Sequence, residues 1–391
     1  MPLDPSGGRW ESLPPLADKA RAWLWTSALP LWSSIGVDAD LGFTEHLTLQ
    51  GRRADVEYKR LRVQARQIYV FSHASTLGYE AGADAARNGW EFMTTHGWLA
   101  SGGWARRCGR MGGVLDPTLD LYDQAFGLLA TAWWLRANDD QSAVAYADDT
   151  LAAIDHRLRV PGVPGWQSAE DQTQTREQNP HMHLLEGLLA LHEATGESRF
   201  LDRAAEVIEL FESTLFDDHN GVLHECFGAD WSPLSEPRGR LVEPGHHFEW
   251  VWLLHQAERY LPGASRLASA LFDFATQHGI DQPSGAVIDA VLDDGTPADR
   301  GTRTWPHTEE IKAHLARLEA TGEFDEARFV QLVDLLFSKF LSRQPAGTWD
   351  DHFAADGALQ VDKIPASSLY HVFLAFAELM RVAERVPGNV R

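Results

Sequence analysis

Apolar helical segments that begin near residues 57, 120, 181, 246, 304 and 365 recur at a step of about sixty residues, and this period narrows the folds open to the chain. Apolar stripes and helix breakers place helices near 15–34, 57–78, 81–99, 120–138, 141–158 and 181–195. Six more fall near 197–215, 246–260, 263–280, 304–321, 323–343 and 365–386. A fixed period of helix pairs is the mark of a repeated supersecondary unit. Six helical hairpins are too many for one four-helix bundle. They suit a closed ring of inner and outer helices, an all-α toroid formed as one domain over residues 1–391.

Loop length orients that ring. The connections into the even-numbered helices are long, at 40–56, 100–119, 159–180, 216–245, 281–303 and 344–364. Those leading out are short, such as Asn138-Asp139-Asp140 and Thr195-Gly196. The long loops and the N-termini of the even helices therefore share one end, with short β-hairpins expected there, for example at Gly221-Val222-Leu223-His224-Glu225. Long loops on a rigid scaffold are the usual place for binding and catalysis.

Composition removes several classes. A net charge of -22 argues against nucleic-acid or anionic-membrane partners and against general capture of phosphorylated substrates, leaving a local arginine as the one route to an anion. Two cysteines, Cys108 and Cys226, leave no disulfide framework and no cysteine-based metal cluster. No apolar run approaches the roughly 18 residues of a membrane span. The start, MPLDPSGGRWESLPP, lacks a basic segment followed by an apolar core, so a cytoplasmic location is expected. Fifteen tryptophans supply rings suited to the apolar face of a sugar.

The even helices carry polar residues into the loop-rich face. They are Arg66; Tyr122 and Asp123; Asn179, His181, His183 and Glu186; His246 and Glu249; Trp305, His307 and Glu309; and His371. At i,i+3 spacing Glu249 can orient His246, and the positive helix start disfavours imidazolium there, so a neutral His246 is expected. His181 and His183 cannot share a face, and His183 is the one expected to point inward. Zinc or manganese on His183, His246, His371 and Glu249 is not expected, because no HExxH spacing occurs and the residues come from distant repeats.

The ordered set Gly42-Phe43-Thr44-Glu45, Gln64-Ala65-Arg66, Tyr122-Asp123-Gln124-Ala125-Phe126, Asn179 to His183, Pro244 to Trp250, Trp305 to Glu309 and Pro365 to His371 resembles the N-acylglucosamine 2-epimerase superfamily. The segments around His183, His246 and His371 are most similar to its mannose-isomerase branch. The resemblance implies an (α/α)6 barrel and catalysis without metal or other cofactor. It also implies acid/base roles for His246 and His371, with Glu249 supporting His246. Sugar contacts are implied for Arg66, Tyr122, Asn179, His183, Trp305 and Glu309. One departure is Arg62, which stands where some members carry tryptophan.

Isomerisation and 2-epimerisation both begin by removing the C2 proton of an open-chain sugar, a task for a neutral histidine. Arg66 and His183 are candidates to stabilise the enediolate. His371 is assigned the carbon-bound proton and His246 the hydroxyl and ring-opening transfers, with the reverse assignment open. The expected reaction interconverts D-mannose and D-fructose, with D-lyxose and D-xylulose as a second pair. A 2-epimerase on N-acylglucosamine or cellobiose and a sulfoquinovose isomerase stay open within the family. Outside it stand a glycoside hydrolase recruiting Asp123, Glu249 and Asp350, and a protein-binding module. Monomer and homodimer are both compatible with the sequence.

Overall fold

The computed structural model describes residues 10–38 and 42–386. Residues 1–9, with most of the N-terminal stretch read above, residues 39–41 and residues 387–391 lie outside the described residues. The helices in chain order are α1 (Leu13–Trp23, running on through Leu29–Ser34), α2 (Leu61–Thr76), α3 (Ala81–Phe92), α4 (Leu121–Asn138), α5 (Val144–Leu158) and α6 (Asn179–Thr195). Then follow α7 (Ser198–Leu210), α8 (Pro244–Glu258), α9 (Ala268–His278), α10 (Thr304–Thr321), α11 (Glu326–Leu335) and α12 (Ser368–Ala383).

The even helices form the inner ring. Each packs on the next, and α12 packs back on α2, so the ring closes. They are buried around almost their whole circumference: every residue of α12 except Arg381, and all of α10 except Trp305 and a few near its C-terminus. The odd helices are amphipathic and each packs on an inner partner. The N-terminal α1 lies against α12, so the sixth hairpin joins the two ends of the chain. The result is an (α/α)6 barrel most of whose buried apolar residues form one large contiguous cluster, with a small second one of Val222, Val242, Ile288 and Val291 in the loops.

Local chemistry explains the ends. Asp120 caps α4 by accepting Tyr122 N–H at 3.0 Å. α4, α6 and α10 stop at left-handed residues, Asp139, Gly196 and Gly322, each turning at once into the outer partner. Three outer helices end in wide turns at Met93–Gly97, Phe211–Leu215 and Leu336–Phe340, and α1 carries one within it at Leu24–Ala28.

Three expected boundaries move. The helix expected from 57 begins at Leu61, since Tyr58–Arg60 is a strand. The one expected from 365 begins at Ser368, after the strand Lys363–Pro365. The helix expected over 263–280 contracts to Ala268–His278.

These strands belong to a crown that periodicity alone did not show. A strand just before an inner helix pairs antiparallel with the loop of the next repeat. Tyr58–Arg60 pairs with Arg107–Gly109, Thr175–Glu177 with Cys226–Gly228, and Leu241–Val242 with Ala290–Leu292. Thr302–Arg303 pairs with His352–Phe353, and Lys363–Pro365 returns to His46–Thr48, closing the circle. The crown surrounds the N-termini of the inner helices.

Candidate active site

Each inner helix opens with an i,i+4 pair that shares one face: Arg62/Arg66, Tyr122/Phe126, Asn179/His183, Gly245/Glu249, Trp305/Glu309 and Ser367/His371. Nine of these residues line a two-lobed cavity inside the crown. The lobes, about 290 Å³ and 280 Å³, share Arg66, Tyr122, Asn179 and Ser367. Phe126 lies beneath the Arg66 guanidinium at 4.2 Å, and Gly245 leaves the space that the Trp305 ring fills. Glu309 is fully buried behind His371 and does not line the cavity, which corrects its expected role as a direct sugar contact. His246 lies on α8 three residues ahead of Glu249 and lines the second lobe with Glu243, Arg303 and Asp351.

Beneath this ring of pairs, residues one turn into the helices latch the loops. Gln64 accepts Phe43 N–H at 2.7 Å and donates to its carbonyl at 2.9 Å, and Gln124 does the same for Trp104 at 2.8 Å each way. His181, His247 and His307 take over in the next three repeats. Their Nε2 atoms accept N–H from Trp166, Leu223 and Val287 at 3.2, 3.0 and 3.0 Å. An Nε2 that accepts carries no proton, and burial pushes each of these rings down to about 4. His181 thus points away from the cavity and His183 into it, as expected from their spacing.

Three histidines line the cavity, each with Nδ1 held by a glutamate. His183 Nδ1 lies 3.1 Å from Glu186, which also accepts the Tyr370 hydroxyl at 2.6 Å. His246 Nδ1 lies 2.8 Å from Glu225, and His371 Nδ1 lies 2.8 Å from Glu309. The expected His246–Glu249 pair is therefore corrected: the partner is Glu225, on the long loop before α8. Glu225 is itself fixed by Gln178 Nε2 and Glu243 N–H, at 3.0 Å each. Glu249 lines the cavity floor with one oxygen, Oε1, buried and without a hydrogen bond.

The two expected acid/base residues differ in charge state. Burial would lower His246, but the carboxylates of Glu225 and Glu243 carry it up to about 9. The expectation of a neutral His246 fails because these two carboxylates outweigh the helix start. His371 is held well below the ordinary histidine range by burial, then by the cations Arg66 and Lys312. The Trp305 ring lies beside both, with centroids 4.9 Å from His246 and 5.6 Å from His371.

Most cations at the cavity are spoken for. Arg60 pairs with Glu45 at 2.6 Å, and Arg62 with Asp123 at 2.8 Å and Asp120 at 3.3 Å. Arg303 pairs with Asp289 at 2.9 Å and Glu243 at 3.1 Å. Arg66 instead bonds the Tyr122 hydroxyl and lies against aromatic rings, with no carboxylate partner among the described residues. Arg66 Nε and Asn179 Oδ1 are, with Glu249 Oε1, buried polar atoms that make no hydrogen bond. Donor atoms of Glu249, Glu309 and His371 approach within 4.8 Å of one another, but the ammonium of Lys312 lies 2.5 Å from Glu309, so the group is an ion-paired cluster. Asp123 and Asp350, considered for hydrolysis, are paired with Arg62 and Arg343.

Such a barrel, with histidine–carboxylate pairs around a hydroxyl-rich cavity, defines a sugar isomerase or epimerase. The chain belongs to the N-acylglucosamine 2-epimerase family, whose model matches residues 42–375. It is 31% identical to the mannose-6-phosphate isomerase of Rhizobium meliloti (strain 1021), over 95% of this chain and 98% of that protein. It is 28% identical to the D-mannose isomerase of Pseudomonas cannabina pv. alisalensis, over 77% of this chain and 80% of the relative. The solved cellobiose 2-epimerase from Bacillus thermoamylovorans B4167 shares the fold, with a TM-score of 0.83, 19% identity and coverage of 93% and 98% of the two chains. No helix among the described residues is long and apolar enough to cross a membrane.

Proposed function

We propose that this chain is an aldose–ketose isomerase interconverting free D-mannose and D-fructose, with D-lyxose and D-xylulose as a second pair. The observation that carries the reading is the opposite charge state of two imidazoles beside one indole, His371 neutral and His246 charged. In the open-chain aldose, His371 Nε2 takes the C2 proton. The C–H electron pair forms the C1=C2 bond, and the carbonyl pair moves onto O1. His246 protonates O1, giving a cis-enediol. His246 then removes the proton from O2, the C2=O bond forms, and C1 takes back the proton held by His371. The net change moves one hydrogen from C2 to C1 and one proton from O2 to O1, and no metal is needed. Arg66 is placed to stabilise the negative oxygen, with His183 adding a donor. The unbonded polar atoms of Arg66 and Asn179 match sugar hydroxyls, which both donate and accept.

The Rhizobium relative's name makes mannose 6-phosphate the competing substrate. A phosphate dianion needs cations free of carboxylates; here Arg60, Arg62 and Arg303 are all paired, and the unpaired Arg66 is assigned to the enediolate oxygen. That supports the uncharged sugar. A 2-epimerase is the second reading, favoured by the contact of both imidazoles with Trp305, from which His246 could return a proton to the other face of C2.

The test is D-mannose and mannose 6-phosphate incubated separately with EDTA-treated protein in D2O, with products and deuterium followed by NMR. Fructose from free mannose is expected, with deuterium at C1 to the extent that the His371 proton exchanges. Glucose as the first product would replace the isomerase by the epimerase. Turnover of the phosphate ester alone would overturn the neutral-sugar reading. His371→Asn should lower kcat about 10²–10⁴-fold.

A further inference from the structure

Lys312 touches neither lobe of the cavity, and no step above uses it, yet it sits directly under the proposed base. It lies on α10 one turn beyond Glu309 and is fully buried. Its Nζ is 2.5 Å from Glu309 Oε2, 3.9 Å from Glu249 Oε1 and 4.2 Å from the centre of the Trp252 ring. An isolated buried ammonium is expensive, so its retention here needs compensation. Glu309 on its own helix, Glu249 on α8 and Glu186 on α6 supply it, and they raise the lysine although burial alone would lower it.

The consequence reaches His371 through Glu309. One Glu309 oxygen meets Lys312 and the other meets His371 Nδ1 at 2.8 Å. As an anion, Glu309 can only accept, so the ring hydrogen must sit on Nδ1 and Nε2 is left bare toward the cavity. As a neutral acid, Glu309 can donate to Nδ1. The ring hydrogen then moves to Nε2, and His371 can no longer take a proton from substrate. Burial and the charge of Glu249 push Glu309 well above the ordinary carboxylate range, and Lys312 opposes them without reversing the shift. The other groups acting on this pair are Arg66 from α2, His183 and Glu186 from α6, His246 from α8 and Tyr370 from α12.

We propose that Lys312 is a positioning residue that favours the Glu309 anion and so widens the pH range in which Nε2 of His371 is free to accept a proton. Its catalytic consequence rests on the isomerase reading; its effect on the His371 tautomer does not. The test is NMR of protein labelled with ¹⁵N-histidine, following the His371 ring nitrogens across a pH series in wild type, Lys312→Met and Glu249→Gln. Removing the lysine should move the pH above which the Nδ1–H form dominates upward by about one to three units, and removing the Glu249 charge should move it downward. In the same lysine variant, kcat near neutral pH should fall far more than KM rises and should recover as pH increases. A folded lysine variant with an unmoved tautomer transition would overturn the proposal. If that variant does not fold, Glu249→Gln decides, and an absent or upward shift overturns it. Wild-type protein inactive on every sugar would remove the isomerase reading, while the nitrogen shifts would still report on Lys312.

Discussion

Exchanging Glu225 for glutamine removes one charge 2.8 Å from His246 Nδ1 and changes little else in shape. Glu225 and Glu243 together carry His246 to about 9, so the proposed acid keeps its proton through neutral pH. With Glu225→Gln, burial meets less opposition and the imidazolium is lost at lower pH. The alkaline limb of kcat/KM should therefore move down from near 9, with activity at pH 8 reduced about tenfold or more. An unmoved limb would show that His246 is not the titrating acid. Glu225 and Lys312 were not legible in the sequence, for different reasons. Glu225 reaches the site from a loop, and its partner is fixed by strand pairing across two repeats rather than by helical spacing. Lys312 sits in a run, Glu309-Glu310-Ile311-Lys312, that reads as a solvated face. Only ring closure buries it. Arg66, Asn179, His183, His246, Trp305 and His371 were legible because each stands in the first turns of an inner helix.

Two inner helices pack closely where a side chain is missing. A Cβ on Gly245 of α8 would lie 2.6 Å from Trp305 and 3.0 Å from Pro306 on α10. The backbone of Gly245 is helical, so alanine costs nothing in conformation and the effect is purely steric. Gly245→Ala should destabilise the fold by about 1–3 kcal/mol and displace the indole, raising KM for the sugar. Adding Trp305→Leu should recover stability without recovering KM, which thermal unfolding and steady-state kinetics on the two variants would show. Stability lost in the single variant with KM unchanged would mean that Trp305 is only a packing residue. At this scale the helices were readable because apolar periodicity persists over several turns in each of them. The crown was not, since strands of two or three residues are too short to show alternation, and their pairing depends on the ring already being formed.

Closure also sets how the whole molecule responds to pH, because it shifts several buried histidines with opposite signs. The latches His181, His247 and His307 are held down at about 4, against 6.5 for a free histidine, and His73, stacked on Trp133, is held at about 3. Below 6.5 the unfolded chain takes up protons at these positions and the native ring does not, so stability falls as pH drops from 6.5 toward 4. His246, raised to about 9, contributes in the opposite sense. Its stabilisation is complete below 6.5 and is lost as pH rises through 9. The two limbs place the stability maximum near pH 6.5, to be measured as Tm from pH 4 to pH 9.5. The groups are separable by substitution. Gln64 and Gln124 hold their loops as the latch histidines do but do not titrate, so His307→Gln should keep the Val287 contact while flattening part of the acid limb. His246→Asn should flatten the alkaline limb alone. An acid limb unchanged in His181→Gln/His307→Gln would mean that loop latching does not govern acid unfolding. In that case ion-paired carboxylates held below their ordinary range, such as Asp38 with Arg110 and Glu170 with Arg157, become the groups to replace next.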